Sequence, residues 1–233
     1  MRVLPDGCVE LIIHFATPYR SWHGSDPQPK AFIAGQISRA ITLSPLGNSS
    51  VFAIRFNPSG FCQFTPIPLQ DFTDREVELV HLWPSANAFT ESILAAKTFQ
   101  NRCDLANGFL LDMLHHTQPE PDPIVGWCLA KLHLGGERID RLATQTGYSV
   151  RQLERRFLQS TGLSPKRLTR IFRLQRLVQH LETGSAANLT TLAHALGYAD
   201  QAHMSRDFKQ LVGLTPSAYL GKEEPFYFDD VSR

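Results

Sequence analysis

Residues 137–220 contain the same short sequence twice, and this repeat constrains the fold more than any other feature of the chain. Each copy has a Leu-Ala pair, a Gly-Tyr pair, a Phe and a closing Gly-Leu-(Ser/Thr)-Pro, in that order. The Gly-Tyr pairs begin at Gly147 and Gly197, 50 positions apart, and Phe157 and Phe208 lie 51 positions apart. A fixed internal period indicates a duplicated supersecondary unit. Only two copies are present, so the sequence predicts two small motifs with a connector rather than a solenoid.

Each copy has the sequence pattern of two short helices joined by a tight turn. The Gly of the Gly-Tyr pair allows a sharp exit from the first helix, because a residue without Cβ enters the left-handed region freely. In the first copy Ser149 is a good N-cap for the second helix, and Gln152 completes a capping-box pattern. Leu153 and Phe157 fall on one face, and charged residues fall on the others. This combination predicts a helix-turn-helix unit with a polar outward face.

At this level of detail the chain resembles a known family. The segments GYSVRQLERRF, TGLSPKRL and ALGYADQAHMSRDFKQLVGLTPSAY are similar to the DNA-binding domain of AraC/XylS transcription regulators, over residues 124–221. The resemblance implies two helix-turn-helix units joined by one long helix, here from Ser164 to about Thr183. It also implies that the second helix of each unit, about residues 149–160 in the first, enters the major groove of double-stranded DNA.

The resemblance and the outward helix faces together assign candidate DNA contacts. Arg suits guanine, Gln suits adenine and Glu can accept from cytosine, and the expected base contacts are Arg151, Glu154, Arg155, Gln201, His203, Ser205 and Arg206. Phosphate contacts position a protein without reading sequence, and the expected ones are Arg156, Lys166, Arg167, Arg170 and Lys209. The alternative for each single residue is an ordinary solvated face with internal salt bridges.

The first 65 or so residues predict a small antiparallel sheet. Cys8 to Phe15 alternates apolar and polar residues, and Val51–Phe56 does so as well, which is typical of half-buried strands. Ala31–Ala34 and Ile37–Leu43 are expected to be further strands. Helical periodicity follows at about residues 86–99 and again up to His115 and His116. The predicted fold class is therefore α+β, with a partial, cupin-like barrel and helices before an all-α double helix-turn-helix.

The N-terminal part also resembles the sensor domains of some AraC-family members, through LPDGCVELIIHF and FAIRFNPSGF. That resemblance implies a domain that responds to a small molecule or dimerises. The chain begins three residues before the LPDG motif, whereas such relatives have more chain before it. Either a strand is missing or the natural start lies further upstream, and we do not expect a closed barrel.

Composition and charge divide the chain into the same two parts. Residues 124–222 carry 14 Lys and Arg against 6 Asp and Glu, whereas residues 1–118 carry 8 against 10. Only one part is therefore suited to a polyanion. The alternating prolines of residues 118–123 predict a stiff, extended linker. The expected domains are residues 1–117 and 124–221, followed by a loose tail at 222–233.

Other functional classes find little support in the sequence. The four cysteines show no metal-binding spacing, and they suit a reducing cytoplasm. We expect no cofactor, no metal site, no catalytic residues, no signal peptide and no membrane span. The expected partner is double-stranded DNA, while RNA polymerase, a homodimer and a small-molecule effector are left open. Two alternatives also stay open, an enzyme or alkyl-acceptor domain fused to a DNA reader, and a DNA-associated interaction protein.

Overall fold

An open antiparallel sheet lies at the centre of the N-terminal half. The structure is a computed structural model that describes residues 1–117, 121–135, 137–183, 189–221 and 226–227. The strands are β1 (Arg2–Val3), β2 (Val9–His14), β3 (Tyr19–Arg20), β4 (Ala31–Ala34), β5 (Ile41–Thr42), β6 (Ser44–Pro45), β7 (Val51–Phe56), β8 (Glu76–Glu78) and β9 (Phe226–Tyr227). Strands β7, β2, β4 and β8 form one four-stranded sheet in that order. The α+β class is confirmed, and the sheet is not closed into a barrel.

Strand β2 separates the main N-terminal core from a second face. Val9, Leu11 and Ile13 are each at most 1% exposed and belong to this core. Glu10 and Ile12 on the other face are half-buried, as the alternation predicts for a strand. His14 also lies on that second face, but it is completely buried.

Two helices and three short 3-10 turns complete this core. Helix α1 spans Ala86–Ala95 and helix α2 spans Phe99–Thr117, while the turns are Phe61–Phe64, Leu69–Asp71 and Leu79–His81. Aromatic rings hold these pieces together, since Phe61 packs edge-on against Phe72 with ring centroids 5.5 Å apart. The Trp83 indole N–H donates to the Phe64 carbonyl at 3.0 Å. Both expected helical segments are present, the first ending four residues earlier than predicted.

The strand expected over Ile37–Leu43 is wrong for most of its length. Only Ile41–Thr42 is in a strand. The Ser38 backbone N–H donates to the Asp74 carboxylate at 2.6 Å, and the Ala40 N–H donates to the Leu211 carbonyl at 2.7 Å. These backbone N–H groups therefore donate to a side chain and to a carbonyl near the end of α8, rather than to a neighbouring strand. The periodicity of a sequence does not reveal such partners.

Within the described residues, seven helices form the C-terminal half. They are α3 (Pro123–Leu134), α4 (Ile139–Thr146), α5 (Val150–Thr161), α6 (Pro165–Glu182), α7 (Leu189–Ala195), α8 (Gln201–Val212) and α9 (Pro216–Leu220). Helix α6 is the predicted connector, with the Ser164 hydroxyl accepting from the Arg167 N–H at 3.3 Å. It contributes to two apolar clusters, one with α3, α4 and α5, and one with α7, α8 and α9.

Residues 1–7, which we call the N-terminal strap, pack into the C-terminal half. Leu4 is 1% exposed and belongs to the apolar cluster around α8. Gly7 has a φ of +83°, and a Cβ there would lie 3.3 Å from Leu168 Cδ2, so both the turn and the close approach to α6 favour glycine. The Gln175 side-chain amide donates to the Asp6 carbonyl at 3.1 Å. The strap therefore joins the sheet-containing half to the double helix-turn-helix.

The predicted linker and tail are only partly within the described residues. Residues 118–120, 222–225 and 228–233 lie outside them. Asp122 is not a spacer but the N-cap of α3, because its carboxylate accepts from the Ile124 and Val125 N–H groups. The tail is not wholly loose either, since Phe226–Tyr227 pairs in parallel with β1. The domain boundary itself stays a prediction.

Within the described ranges, no helix combines the length and the apolar character that crossing a membrane requires.

The strap gives a stability prediction. Replacing Leu4 with Ala should lower the free energy of unfolding by about 2–5 kcal/mol, because it removes a fully buried side chain and leaves a cavity. Urea unfolding followed by circular dichroism measures this loss. The matched control is Leu46→Ala, since Leu46 is 39% exposed, and its effect should stay within about 0.5 kcal/mol. A loss below about 1 kcal/mol for Leu4→Ala would contradict the packing.

Candidate nucleic-acid interface

Helix α5 begins directly after the tight turn that ends α4, as in a helix-turn-helix. Gly147 has a φ of +73° and ends α4, so α5 can begin three residues later. The predicted capping box is present. The Ser149 N–H donates to the Gln152 side-chain carbonyl at 2.9 Å, and the Gln152 N–H donates to the Ser149 hydroxyl at 3.3 Å. Gln152 therefore serves the helix end rather than projecting freely.

Helix α8 is the second copy of this arrangement, with a different cap. Asp200 accepts from the His203 backbone N–H at 2.6 Å, and Gly213 ends the helix with a φ of +81°. Pairing the two Gly-Tyr segments sets Ala199, not Asp200, against Ser149, so the repeat alone does not predict this cap. Asp and Ser are equally good N-caps, and this equivalence could have found it.

Burial on both helices separates core residues from outward residues. Leu153 and Phe157 on α5, and Met204 and Phe208 on α8, are at most 1% exposed. The candidate base contacts lie on the remaining faces, all exposed except the half-buried Ser205: Arg151, Glu154, Arg155, Gln201, His203, Ser205 and Arg206. The fold therefore keeps these seven side chains on the surface of two equivalent helices.

Two of these side chains already have neighbours on the surface. The Gln201 side-chain carbonyl accepts from the Thr190 hydroxyl at 2.8 Å. The His203 ring stands edge-on to the Tyr198 ring, with centroids 5.3 Å apart. Both contacts restrict the side chains without burying them.

One groove brings the two units together. It is lined by Glu154 from α5, by His203 from α8, and by Lys166 and Arg173 from α6. Helix α6 thus lines the groove between the two candidate reading helices. Candidate contacts from both units and from the connector face the same opening.

Arg170 crosses this groove and ties α6 to α8. Its Nε donates to Asp207 Oδ1 at 2.5 Å and its Nη2 donates to the Gln210 side-chain carbonyl at 2.7 Å. Tyr198 donates its hydroxyl to Asp207 Oδ2 at 3.2 Å. Burial, together with the nearby Asp207 charge, raises the pKa of Tyr198 above its ordinary value. Asp207 is a residue that the sequence analysis missed.

Arg156 is likewise engaged inside the protein. Its Nε lies 2.8 Å from Asp122 Oδ2, and its guanidinium lies over the Tyr148 ring at 4.7 Å. Hydrogen bonding to Asp122 raises the pKa of Arg156. The expected phosphate role of Arg156 and Arg170 stays a prediction, but each of them has an ion-pair partner within the chain.

The other three candidate phosphate contacts are exposed. Lys166 and Arg167 lie in the first turn of α6, and Lys209 lies on α8. Among the residues that the structure describes, no ion pair is seen for these three. The fold therefore leaves these three cations available for an external anion.

The described residues offer neither a cluster of metal ligands nor, at Cys8, a reactive thiol. In the described ranges, no group of three or more His, Cys, Asp or Glu side chains is placed to hold a metal ion. Burial, with a smaller effect of Glu10, raises the pKa of Cys8 to about 12. A thiol with so high a pKa is a poor nucleophile at neutral pH.

Family models match both parts of the chain. Residues 142–222 match a helix-turn-helix domain, and residues 1–78 match a domain of unknown function, DUF6597. Among curated proteins, the HTH-type transcriptional activator RhaS of Escherichia coli O1:K1 / APEC is 35% identical over 77 residues. That segment is 33% of this chain and 27% of the relative. The chain therefore matches about a quarter of the length of this relative.

Solved structures are similar over different extents. ToxT from Vibrio cholerae aligns over 94% of this chain and 92% of its own, with 12% identity and a TM-score of 0.50. This likeness concerns the fold alone. The DNA-binding domain of AdpA, the global transcriptional factor, in complex with a target DNA aligns over 42% of this chain and 86% of its own, with 28% identity and a TM-score of 0.36.

The helix-turn-helix match and the similarity to RhaS fall on the two units that the structure places side by side on α6. Residues 142–222 are therefore a helix-turn-helix domain of the AraC type.

Proposed function

We propose that the chain is a sequence-specific DNA-binding transcription regulator that reads two successive major grooves with α5 and α8. The observation that carries this proposal is the pair of capped helices, each with a buried apolar face and an exposed polar face, on one connecting helix. Successive major grooves on one DNA face lie about 34 Å apart. A single chain holds both reading helices, so binding requires no second copy.

The reading residues of the proposal differ between the two helices. On α5, Arg151 and Arg155 would contact guanine, and Glu154 would accept from cytosine. On α8, Arg206 is the residue suited to guanine. The proposal also includes Gln201, His203 and Ser205, whose hydrogen-bonding groups suit more than one base.

Phosphate contacts are proposed for Lys166, Arg167 and Lys209, which are exposed. Arg156 and Arg170 instead hold the domain together, since each makes an ion pair with a carboxylate that is mostly buried. The excess of cations in the C-terminal half supports this assignment, because it attracts DNA to one part of the molecule.

The proposal also covers the mode of action, the cellular compartment, the effector and the protein partners of the chain. The chain acts by binding rather than by catalysis, in line with the name of its relative RhaS, a transcriptional activator. It works in the cytoplasm, where its four unpaired cysteines would stay reduced. Its N-terminal half responds to a small molecule, and contacts with RNA polymerase or with a second copy would be made by surfaces other than α5 and α8.

The proposal is tested by selecting DNA from a random library with the purified full chain. We expect the enriched sequences to share two blocks whose centres are about 10–10.5 base pairs apart. Fluorescence anisotropy should then show binding about 10³-fold or more tighter to this DNA than to random DNA, with a steep salt dependence. No enrichment, or equal binding to both DNAs, would contradict the proposal.

Two neighbouring positions on α8 separate reading from positioning. Arg206→Ala should weaken binding to the selected DNA by about 1–3 kcal/mol and relax the preference at one base pair. Lys209→Ala should weaken binding to selected and random DNA alike and lower the salt slope by about 1. The two variants are matched because both side chains are exposed on the same helix. An equal loss on both DNAs for Arg206→Ala would refute its reading role.

The Arg170–Asp207 pair restrains α8 against α6 and should therefore narrow the range of spacings between the two proposed reading helices. Asp207→Asn keeps the shape of the side chain but removes its charge, so we expect a stability loss of about 1–3 kcal/mol. In the library selection this variant should accept a wider range of distances between the two blocks. Asp200→Asn is the control, because Asn is an equally good N-cap. Unchanged spacing for Asp207→Asn at a temperature where it is folded would contradict this role.

A further inference from the structure

A cavity of about 280 Å³ lies in the N-terminal half, on the second face of β2. Cys8, Glu10, Ile12 and His14 line it from the sheet side, and the N-terminal strap forms another part of its wall. An apolar protein cavity of about 150 Å³ takes benzene. This cavity therefore has room for a molecule of about two fused rings.

Two buried polar groups that line the cavity lack a hydrogen bond of normal geometry to any described residue. His14 is 0% exposed, and neither of its ring nitrogens makes a hydrogen bond of normal geometry within the described part of the chain. The indole N–H of Trp22 is unpaired in the same sense. Buried polar groups are nearly always paired with protein, water or a ligand, so each exception calls for a partner.

The charges around the cavity disfavour an anion. Asp6 and Glu10 line it, and no Lys or Arg is among the described residues that do. The Met1 ammonium, which also belongs to the lining, already donates to the Leu43 carbonyl at 3.1 Å. Arg55 lies behind the wall, ion-paired with Asp6 and 4.0 Å from Glu10. A ligand carboxylate would be repelled by Asp6 and Glu10, because Arg55 is already shared between them. A ligand cation would compete with Arg55 for the same two carboxylates.

His14 offers hydrogen bonds without charge. Burial lowers its pKa, the nearby Lys30 adds to the shift, and the Gln28 side chain opposes it. A neutral imidazole has one N–H donor and one acceptor nitrogen. The ring also stacks on Phe32, with centroids 5.9 Å apart and an interplanar angle of 20°, which fixes its plane.

We propose that this cavity binds an uncharged molecule of about two fused rings that carries one hydroxyl group, with the hydroxyl paired to His14 and Trp22. The rest of the molecule would pack against the apolar wall formed by Ile12, Ile37 and Leu43.

Occupancy of the cavity would reach the DNA-binding half through the strap. Val3, Leu4 and Asp6 line the cavity, and Leu4 also belongs to the apolar cluster around α8. This inference deepens the proposed small-molecule response and rests on it for its regulatory meaning. The binding itself is measured without DNA, so its failure and a failure of the DNA-binding proposal are distinguishable.

Isothermal titration calorimetry of the full chain with three probes of one shape tests the ligand class. The probes are 2-indanol, indane and indane-2-carboxylate. We expect 2-indanol to bind at least tenfold tighter than either of the others, because indane leaves His14 and Trp22 unpaired and the carboxylate meets Asp6 and Glu10. No binding of 2-indanol, or equal or tighter binding of indane or of the carboxylate, would overturn the proposal.

Substitutions test the polar anchor. His14→Phe keeps an aromatic ring against Phe32 but removes both nitrogens, so 2-indanol binding should fall at least tenfold while the melting temperature does not fall. The control is His116→Phe, since the His116 side chain is 75% exposed on α2, and it should bind like the parent. If His14→Phe does not fold, Trp22→Phe decides, with an expected loss of at least threefold. Parent-like binding by a folded His14→Phe, or by Trp22→Phe when it decides, would overturn the proposal.

Discussion

Helix α6 belongs to two hydrophobic cores, and the geometry of the candidate interface depends on this sharing. Leu168 and Ile171 pack with the first helix-turn-helix unit, whereas Leu177 and Val178 pack with the second. The helix has 18 residues and is therefore about 27 Å long. Moving one unit relative to the other would expose one of these cores, so the distance between α5 and α8 is fixed by packing. The Arg170–Asp207 pair adds a lateral restraint between α6 and α8.

The N-terminal half is also part of this arrangement. Leu4 fills a place in the core of the second unit, and the Thr73 hydroxyl donates to the Gly162 carbonyl, at the C-terminal end of α5, at 2.8 Å. A change in the sheet-containing half can therefore bear on both reading helices through direct contacts. For the same reason a fragment that begins at residue 119 would lack part of its own core, and weak DNA binding by such a fragment would not argue against a reading role.

Local signals in the sequence predicted the helix ends that frame the candidate interface. The capping box of Ser149 and Gln152, the Gly that ends each first helix and the extent of α6 all depend on residues within a few positions of one another. The features that were missed depend on distant partners. Asp207 pairs with a residue 37 positions away, Asp122 pairs with one 34 positions away, and the Asp6 carbonyl accepts from a side chain 169 positions away. Periodicity and capping rules contain no information about such pairs.

The proposed division of the basic residues between internal ion pairs and phosphate contacts follows from the burial of the carboxylates with which some of them pair. Basic residues recur on α5 and α6, and their spacing alone does not separate those that pair internally from those that face DNA. The Asp207 side chain is 8% exposed and that of Asp122 is 18% exposed. If Arg170 or Arg156 turned to a phosphate, it would leave a mostly buried carboxylate without its cation, which costs more than a surface contact returns. Among the described residues, no carboxylate forms an ion pair with Lys166, Arg167 or Lys209. These side chains can therefore bind an anion without breaking an internal ion pair.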